Sequence, residues 1–472
     1  MRRWMALAAL LATGCTSLEP AYVRPEMAVP ASWPIGDAYL SRTEAALPAV
    51  SYTDIFRDPR LQSLILQALA HNRDLLAAAA NIAGARERYH IQRASQLPQV
   101  DANAAVTATG ARDSGVDTSY VAGASVPGFE LDLFGRVRSL THAQLQLYFA
   151  TEAAARATRL ALVASIADAW LLHAAHASLL TIAKETAKSA ETSVKLTRAR
   201  LEGGIAPRTD FRQAEQILTG AQADVAQQTT AVAQDVNALQ LLVGGPVDPA
   251  LLSDSINQAA PTIAELPPGL DSGILLRRPD VVEAEYELRA ANAEIGAARA
   301  ALFPRISLTG LLGIASTALT SLFSGGAFAW SGGTNATYAI FQGGAGRANV
   351  RLSEAQRAAA VANYQKAIQT AFQDVADVLA RRGTMGSELA ARQRQTAAAA
   401  DYLQLSTARY RAGIENFLTT LDAQRSSYLS QQILVATKLE SARNRVDLYQ
   451  ALGGDDLLRS APVQRVVAGG SR

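Results

Sequence analysis

The chain has 472 residues, 49% of them hydrophobic, and its 44 Lys and Arg against 42 Asp and Glu leave a formal net charge of +2. So even a balance offers no basic patch for nucleic acid. Cys15 is the one cysteine, which excludes an internal disulfide.

The N-terminus reads as an export signal. Met1-Arg2-Arg3 is a basic stretch, and the run from Trp4 to Ala12 is apolar. Residues 1–14 are therefore expected to be a signal peptide, too short to span a bilayer permanently. The run ends in Ala12-Thr13-Gly14-Cys15, which resembles a bacterial lipoprotein processing site, with Ala12 where Leu is more usual. On that reading Cys15 carries covalent lipid, and several acyl chains make a stable anchor. By the same resemblance, an Asp after the cysteine would favour inner-membrane retention, so Thr16 implies the outer membrane. The other reading of Cys15 is chance placement within the signal peptide. Residues 15–60 are expected to be an acylated, extended segment. No other segment approaches 18 uninterrupted apolar residues, so the sequence offers no spanning helix.

Residues 61–245 read as one structural unit. A helix opens it. After Pro98 the helical period is lost, and Val100, Ala102, Ala104, Val106 and Ala108 alternate with Asp101, Asn103, Ala105 and Thr107. Such alternation predicts strands, here a β-hairpin over 97–134 with a small or polar loop at 110–117. A stretch without Pro and almost without Gly follows, rich in strong helix formers. It predicts a long helix over 138–202, whose roughly 65 residues make a rod of about 100 Å. Leu160, Val163, Ala167, Trp170 and Ala174 step by coiled-coil spacing. Glu202-Gly203-Gly204 then turns the chain, and a return helix is expected over 207–243, with Pro207 in its first turn and Gly244-Gly245 as its stop.

Residues 246–270 read as a linker, after which the pattern returns about 209 positions later. Ala408-Arg-Tyr-Arg-Ala-Gly-Ile414 falls on Ala199-Arg-Leu-Glu-Gly-Gly-Ile205, and Gly453-Gly454 falls on Gly244-Gly245. Residues 271–454 thus form a second copy, with a helix, a hairpin over 303–342, a long helix over 347–412 and a return helix over 416–452. Ile368, Ala371, Val375 and Val378 repeat the coiled-coil spacing. A tail, 455–472, follows. Two hairpins supply four strands, too few to close a barrel, and open edges are not tolerated in lipid. If the strands span a membrane, the barrel is shared between chains: three chains give twelve strands and room for a water channel. The alternative is a small soluble sheet capping a coiled coil.

Several motifs together resemble the TolC-type outer-membrane factor family, in particular its lipoprotein branch of OprM- and NodT-like channels. They are Cys15-Thr-Ser-Leu18-Glu-Pro20-Ala-Tyr22-Val-Arg24-Pro25, Glu130-Leu-Asp-Leu-Phe-Gly-Arg-Val-Arg138, Leu276-Arg-Arg-Pro-Asp-Val281, and Tyr410-Arg-Ala-Gly413 through Leu421-Asp-Ala-Gln-Arg425 to Leu452-Gly-Gly454. Their order covers the chain from 15 to about 455. The resemblance implies an α+β membrane protein: a homotrimer with a twelve-stranded β-barrel in the outer membrane and a periplasmic tunnel of coiled-coil hairpins. The segments around 20–52 and 246–268 and the tail would form a belt midway along it. A periplasmic adaptor protein and an inner-membrane efflux pump would be the partners, with no cofactor beyond the lipid on Cys15.

The resemblance also assigns a periplasmic gate at the turns. Asp210 matches an Asp that holds TolC-type tips closed, and Tyr410 matches its partner, so a Tyr410 hydroxyl to Asp210 carboxylate bond is expected. Charge-assisted bonds of this kind suit a contact that must later break. Arg409 and Asp422 match an Arg and an Asp linked to gating in the OprM branch. Three copies of Asp422 would make a ring that favours cations. Thr419 stands where TolC has a second ring of Asp, and Glu415 where it has Arg, so neither feature carries over. Without the resemblance, each of these is an ordinary charge at a helix end.

Other residues point nowhere as strongly. His173 and His176 are three apart on a helix, a spacing able to bind metal, but no carboxylate lies close in sequence. Arg278-Pro279-Asp280 reads as a helix start. Gly343-Gly344-Ala345-Gly346 lacks the Lys of a phosphate loop and suits a strand exit. No nucleophile and base stand together, so an enzyme is not expected. The functional expectation is a passive, gated exit duct for small molecules such as drugs or toxic compounds. The alternatives are the same duct serving type I polypeptide secretion and, in a different class, a structural coiled-coil surface lipoprotein.

Overall fold

A computed structural model describes residues 17–26, 29–30, 32–34, 36, 38–39, 51–111, 114–265 and 272–453. Cys15, the signal-peptide stretch 1–14 and the tail 455–472 lie outside the described residues. The main helices are α1 (Pro59–His71), α2 (Arg73–Ala94), α3 (Arg136–Glu202), α4 (Arg208–Val243), α5 (Pro279–Ala300), α6 (Ala345–Arg411) and α7 (Phe417–Leu452). The strands are β1 (Asp101–Ala111), β2 (Ser114–Leu131), β3 (Arg305–Ser316) and β4 (Phe328–Thr337). The duplication is carried into the backbone: α3 and α6 each have 67 residues, and α4 and α7 each have 36.

Cα packing divides the chain into two units. The first holds the sheet. Its four strands run antiparallel in the order β1-β2-β3-β4, so the hairpins of the two copies join through β2 and β3. Gly123 stands opposite Gly313 in that junction. The register slips between Val126 and Phe129, where Pro127 cannot donate to a ladder. The expected loop at 110–117 is shorter than anticipated, because β2 already begins at Ser114.

In the same unit residues 19–24 lie along α5. Arg24 meets Glu285 with bonds of 2.7 and 2.9 Å, Arg289 reaches the same carboxylate, and Asn292 donates to the Pro20 carbonyl at 2.7 Å. The carboxyl of Glu285 is buried, yet these two guanidinium groups hold it below the usual carboxylate range against the opposing push of burial.

The second unit has the larger apolar core. Leu160, Val163, Ala167, Trp170 and Ala174 are all buried, as are Ile368, Ala371 and Val375. Trp170 is fully enclosed and its indole donates to the Leu251 carbonyl at 3.0 Å, which satisfies the one polar atom of that ring. Although no unbroken apolar run of 18 exists, α3 contains an 18-residue window of mean hydropathy 1.4. That window is mostly buried within the protein, so its apolar character belongs to helix packing.

Each long helix ends in the same way. Gly204 and Gly413 take the left-handed conformation, at φ of +77° and +74°. Ile205 then donates to the Arg200 carbonyl at 2.9 Å, and Ile414 to the Arg409 carbonyl at 3.0 Å. Only Gly enters that region without a Cβ penalty, so the two turns are fixed by sequence. Pro207 caps α4 from just outside the helix, one step earlier than its expected place. Asn416 caps α7 by accepting from the Thr419 amide.

Candidate functional site

The two turns bring the ends of four helices together. Val194 of α3, Ala214 of α4, Tyr410 of α6 and Phe417 and Leu421 of α7 form one buried cluster, flanked by Phe211, Ile217 and Leu218. Tyr410 is its centre. The residue is 5% exposed, and its ring leans on Phe417 at 5.2 Å and lies under the Arg200 guanidinium at 4.4 Å. A cation over an aromatic face is attracted by the ring quadrupole, so Arg200 ties the first hairpin to the second.

The gate candidates are not joined to one another within the protomer. Among the described residues the buried Tyr410 hydroxyl has no hydrogen-bond partner, so it does not meet Asp210. It lines a cleft of about 170 Å³ together with Ser193, Thr407, Thr420 and Gln424, and the Gln424 amide nitrogen is likewise buried without a partner. Asp210 is half-buried in the first turn of α4, where an acidic side chain complements the helix dipole. Arg409 pairs with Glu415 across the turn at 3.3 Å. Asp422 is exposed on α7 and has no ion pair among the described residues. Ile205 and Ile414 are 77% and 67% exposed, so each turn presents one apolar side chain to solvent.

Two other groups sit in the second unit. His176 reaches the Asp235 carboxylate of α4 at 2.6 Å, supplying the acid that the sequence did not place nearby. His173 is buried, its Nδ1 has no partner among the described residues, and burial lowers its pKa. Among the described residues no group of three or more His, Cys, Asp or Glu is placed to hold a metal ion.

Asp168 stands 3.8 Å from Arg443, too far for a hydrogen bond, and among the described residues the facing atoms of both are buried without partners. Burial pushes the Asp168 carboxyl up to about 6, against the pull of Arg443 and with help from Asp447. A folded-state pKa above the unfolded value means the native protein binds the extra proton. Stability from this group is therefore full below the ordinary carboxyl value of 3.8 and is lost as pH rises through about 6. Asp168→Asn is expected to raise the melting temperature at pH 7.5 and leave it nearly unchanged at pH 4. Melts followed by circular dichroism test this, and an equal shift at both pH values would contradict it.

What the turns offer is physical: a closed apolar cluster, an unpaired buried hydroxyl and exposed apolar tips on two symmetric hairpins. A family model described as outer membrane efflux protein matches residues 64–245 and 271–454. The antibiotic efflux pump outer membrane protein ArpC of Pseudomonas putida is 43% identical over 463 residues, spanning 95% of this chain and 94% of its own. Outer membrane protein OprJ of Pseudomonas aeruginosa is 40% identical, spanning 98% and 97%. The open state of the Neisseria gonorrhoeae MtrE outer membrane channel superposes with a TM-score of 0.83 at 36% identity, covering 93% of this chain and 98% of that one.

Proposed function

Because the chain belongs to the outer membrane efflux protein family, we propose that three copies build one gated exit duct for small toxic molecules. It serves in the outer membrane as the outermost part of an efflux pump, with a periplasmic adaptor and an inner-membrane pump behind it. The observation that supports the trimer is the open sheet. Among the described residues β1 and β4 each have one partner strand, so each leaves an edge of backbone donors and acceptors unpaired. Lipid does not tolerate such edges. Three four-stranded sheets joined edge to edge make twelve strands and leave none. In this reading residues 61–245 and 271–454 are the two structural repeats, 246–270 is the link between them, and residues 15–60 tether the duct through lipid on Cys15. Relatives named for antibiotics and toluene suggest apolar or amphipathic organic compounds as cargo. The native mass of the detergent-solubilised protein tests the assembly. Three protomers are expected, and a monomer that conducts in planar bilayers would overturn it.

The gate of this duct is assigned to Asp210, Arg409, Tyr410 and Asp422 at the turns. What supports it is the unpartnered Tyr410 hydroxyl, a buried donor that gains from any acceptor brought to it. In an assembly of three chains Asp422 would form a carboxylate ring that favours cations. Asp210→Ala combined with Tyr410→Phe is expected to raise the closed-state conductance severalfold in planar bilayers. An unchanged closed state would remove these two residues from the gate.

A further inference from the structure

The two hairpins of one protomer meet at a second point beyond the tip cluster. The Tyr428 hydroxyl of α7 donates to Asp224 Oδ2 of α4 at 2.7 Å, across 204 positions of sequence. Asp224 lies sixteen residues into α4 and Tyr428 eleven into α7, or roughly 24 and 17 Å from the starts of those helices. Burial and the neighbouring carboxylate both push the Tyr428 hydroxyl up, so it remains a donor throughout the physiological range. Both side chains are only half-buried. If the helices part, water replaces each partner at small cost. The contact is thus strong enough to bias an equilibrium and weak enough to break.

The pair also breaks the symmetry of the duplication. At the same offset Asp224 falls on Ile433 and Tyr428 on Thr219. Ile433 has no acceptor and Thr219 lacks the reach of a phenol. The equivalent positions therefore cannot form a second copy of this bond, and it belongs to the seam between the hairpins of a single chain.

We propose that the Tyr428–Asp224 bond is a gating latch, holding the two hairpins of one chain together in the resting duct. The proposal rests on the gated-duct reading above. Opening that separates α4 from α7 must break it, and a charge-assisted bond of this kind shifts an open–closed equilibrium by about tenfold.

The test is single-channel recording of Tyr428→Phe, Asp224→Asn and the double variant, each checked for an unchanged melting curve. Each single variant is expected to raise resting open occupancy about tenfold, and the double variant no further than either single. Wild-type occupancy in either single, or a double effect equal to the product of the singles, overturns the latch. A second measurement keeps the latch separate from the duct reading. Spin labels at Gln222→Cys and Leu429→Cys report the distance between α4 and α7 whether or not the protein conducts. Tyr428→Phe is expected to shift that distribution to longer distances, and an unshifted distribution overturns the latch. Absence of channels in the wild type would instead overturn the duct.

Discussion

A protein carrying Gly313→Val is expected to fail to join its two β-hairpins, and Gly123→Val to fail in the same way. These residues face each other in the β2–β3 pairing. A Cβ on Gly313 would run into the Ala122 carbonyl and lie 2.7 Å from the Gly123 Cα. A Cβ on Gly123 would meet the Leu312 carbonyl and lie 2.6 Å from the Gly313 Cα. Backbone cannot rotate away as a side chain can, so the strands must part or slip. Overpacking of this kind costs about 3 kcal/mol, and a one-residue slip would exchange the faces of the whole strand. Gly128→Ala and Gly332→Ala are controls, since a Cβ at either meets nothing within 4 Å. Both controls should reach the outer membrane at the parent level, and the two Val variants should be depleted from it. Normal insertion of Gly313→Val would show that the β2–β3 register is not the one described.

The helices were far more legible than the contacts between them. The absence of Pro and near-absence of Gly through α3 and α6 is a local signal, and the coiled-coil spacing named the buried residues of both. Val378 is the exception, being only half-buried. The strands were legible as alternation, but their ends were not. Ala, Gly, Ser and Thr fill strand and loop alike near residues 108–118, so nothing local marked the start of β2 at Ser114. At the turns, the motif pointed to Arg409, Tyr410 and Asp422, yet what each touches depends on distant chain. Arg409 takes Glu415, and Tyr410 takes Phe417 and Arg200. No short-range pattern couples Asp224 to Tyr428, or brings Asp235 to His176, because helix packing alone sets which faces meet.

Arg278 shows the same limit and gives the other large expected effect. From sequence it is part of a helix start, and Pro279 does open α5. In the fold the residue is 8% exposed and its guanidinium serves three elements at once. It donates to the Ala451 carbonyl at 2.9 Å, to Asp280 at 2.7 Å and to Asp374 of α6 at 3.1 Å. Ala451 is in the last turn of α7, whose final carbonyls have no intrahelical donors. Burial works against the charge on Arg278, but the two carboxylates outweigh it and hold its pKa above the usual value. Arg278→Ala would leave the Ala451 carbonyl buried and unpaired and open a cavity between the helices. Asp280 and Asp374 are 43% and 45% exposed, so water can take over their share. The loss is therefore about 2–3 kcal/mol, less than the 3–5 kcal/mol of a fully buried pair. Arg278→Lys keeps the charge but not the fork, and its melting temperature should fall between those of the parent and Arg278→Ala. If Arg278→Ala melts with the parent, the carbonyl at Ala451 is being satisfied by something else, and the residue marks a helix start and nothing more.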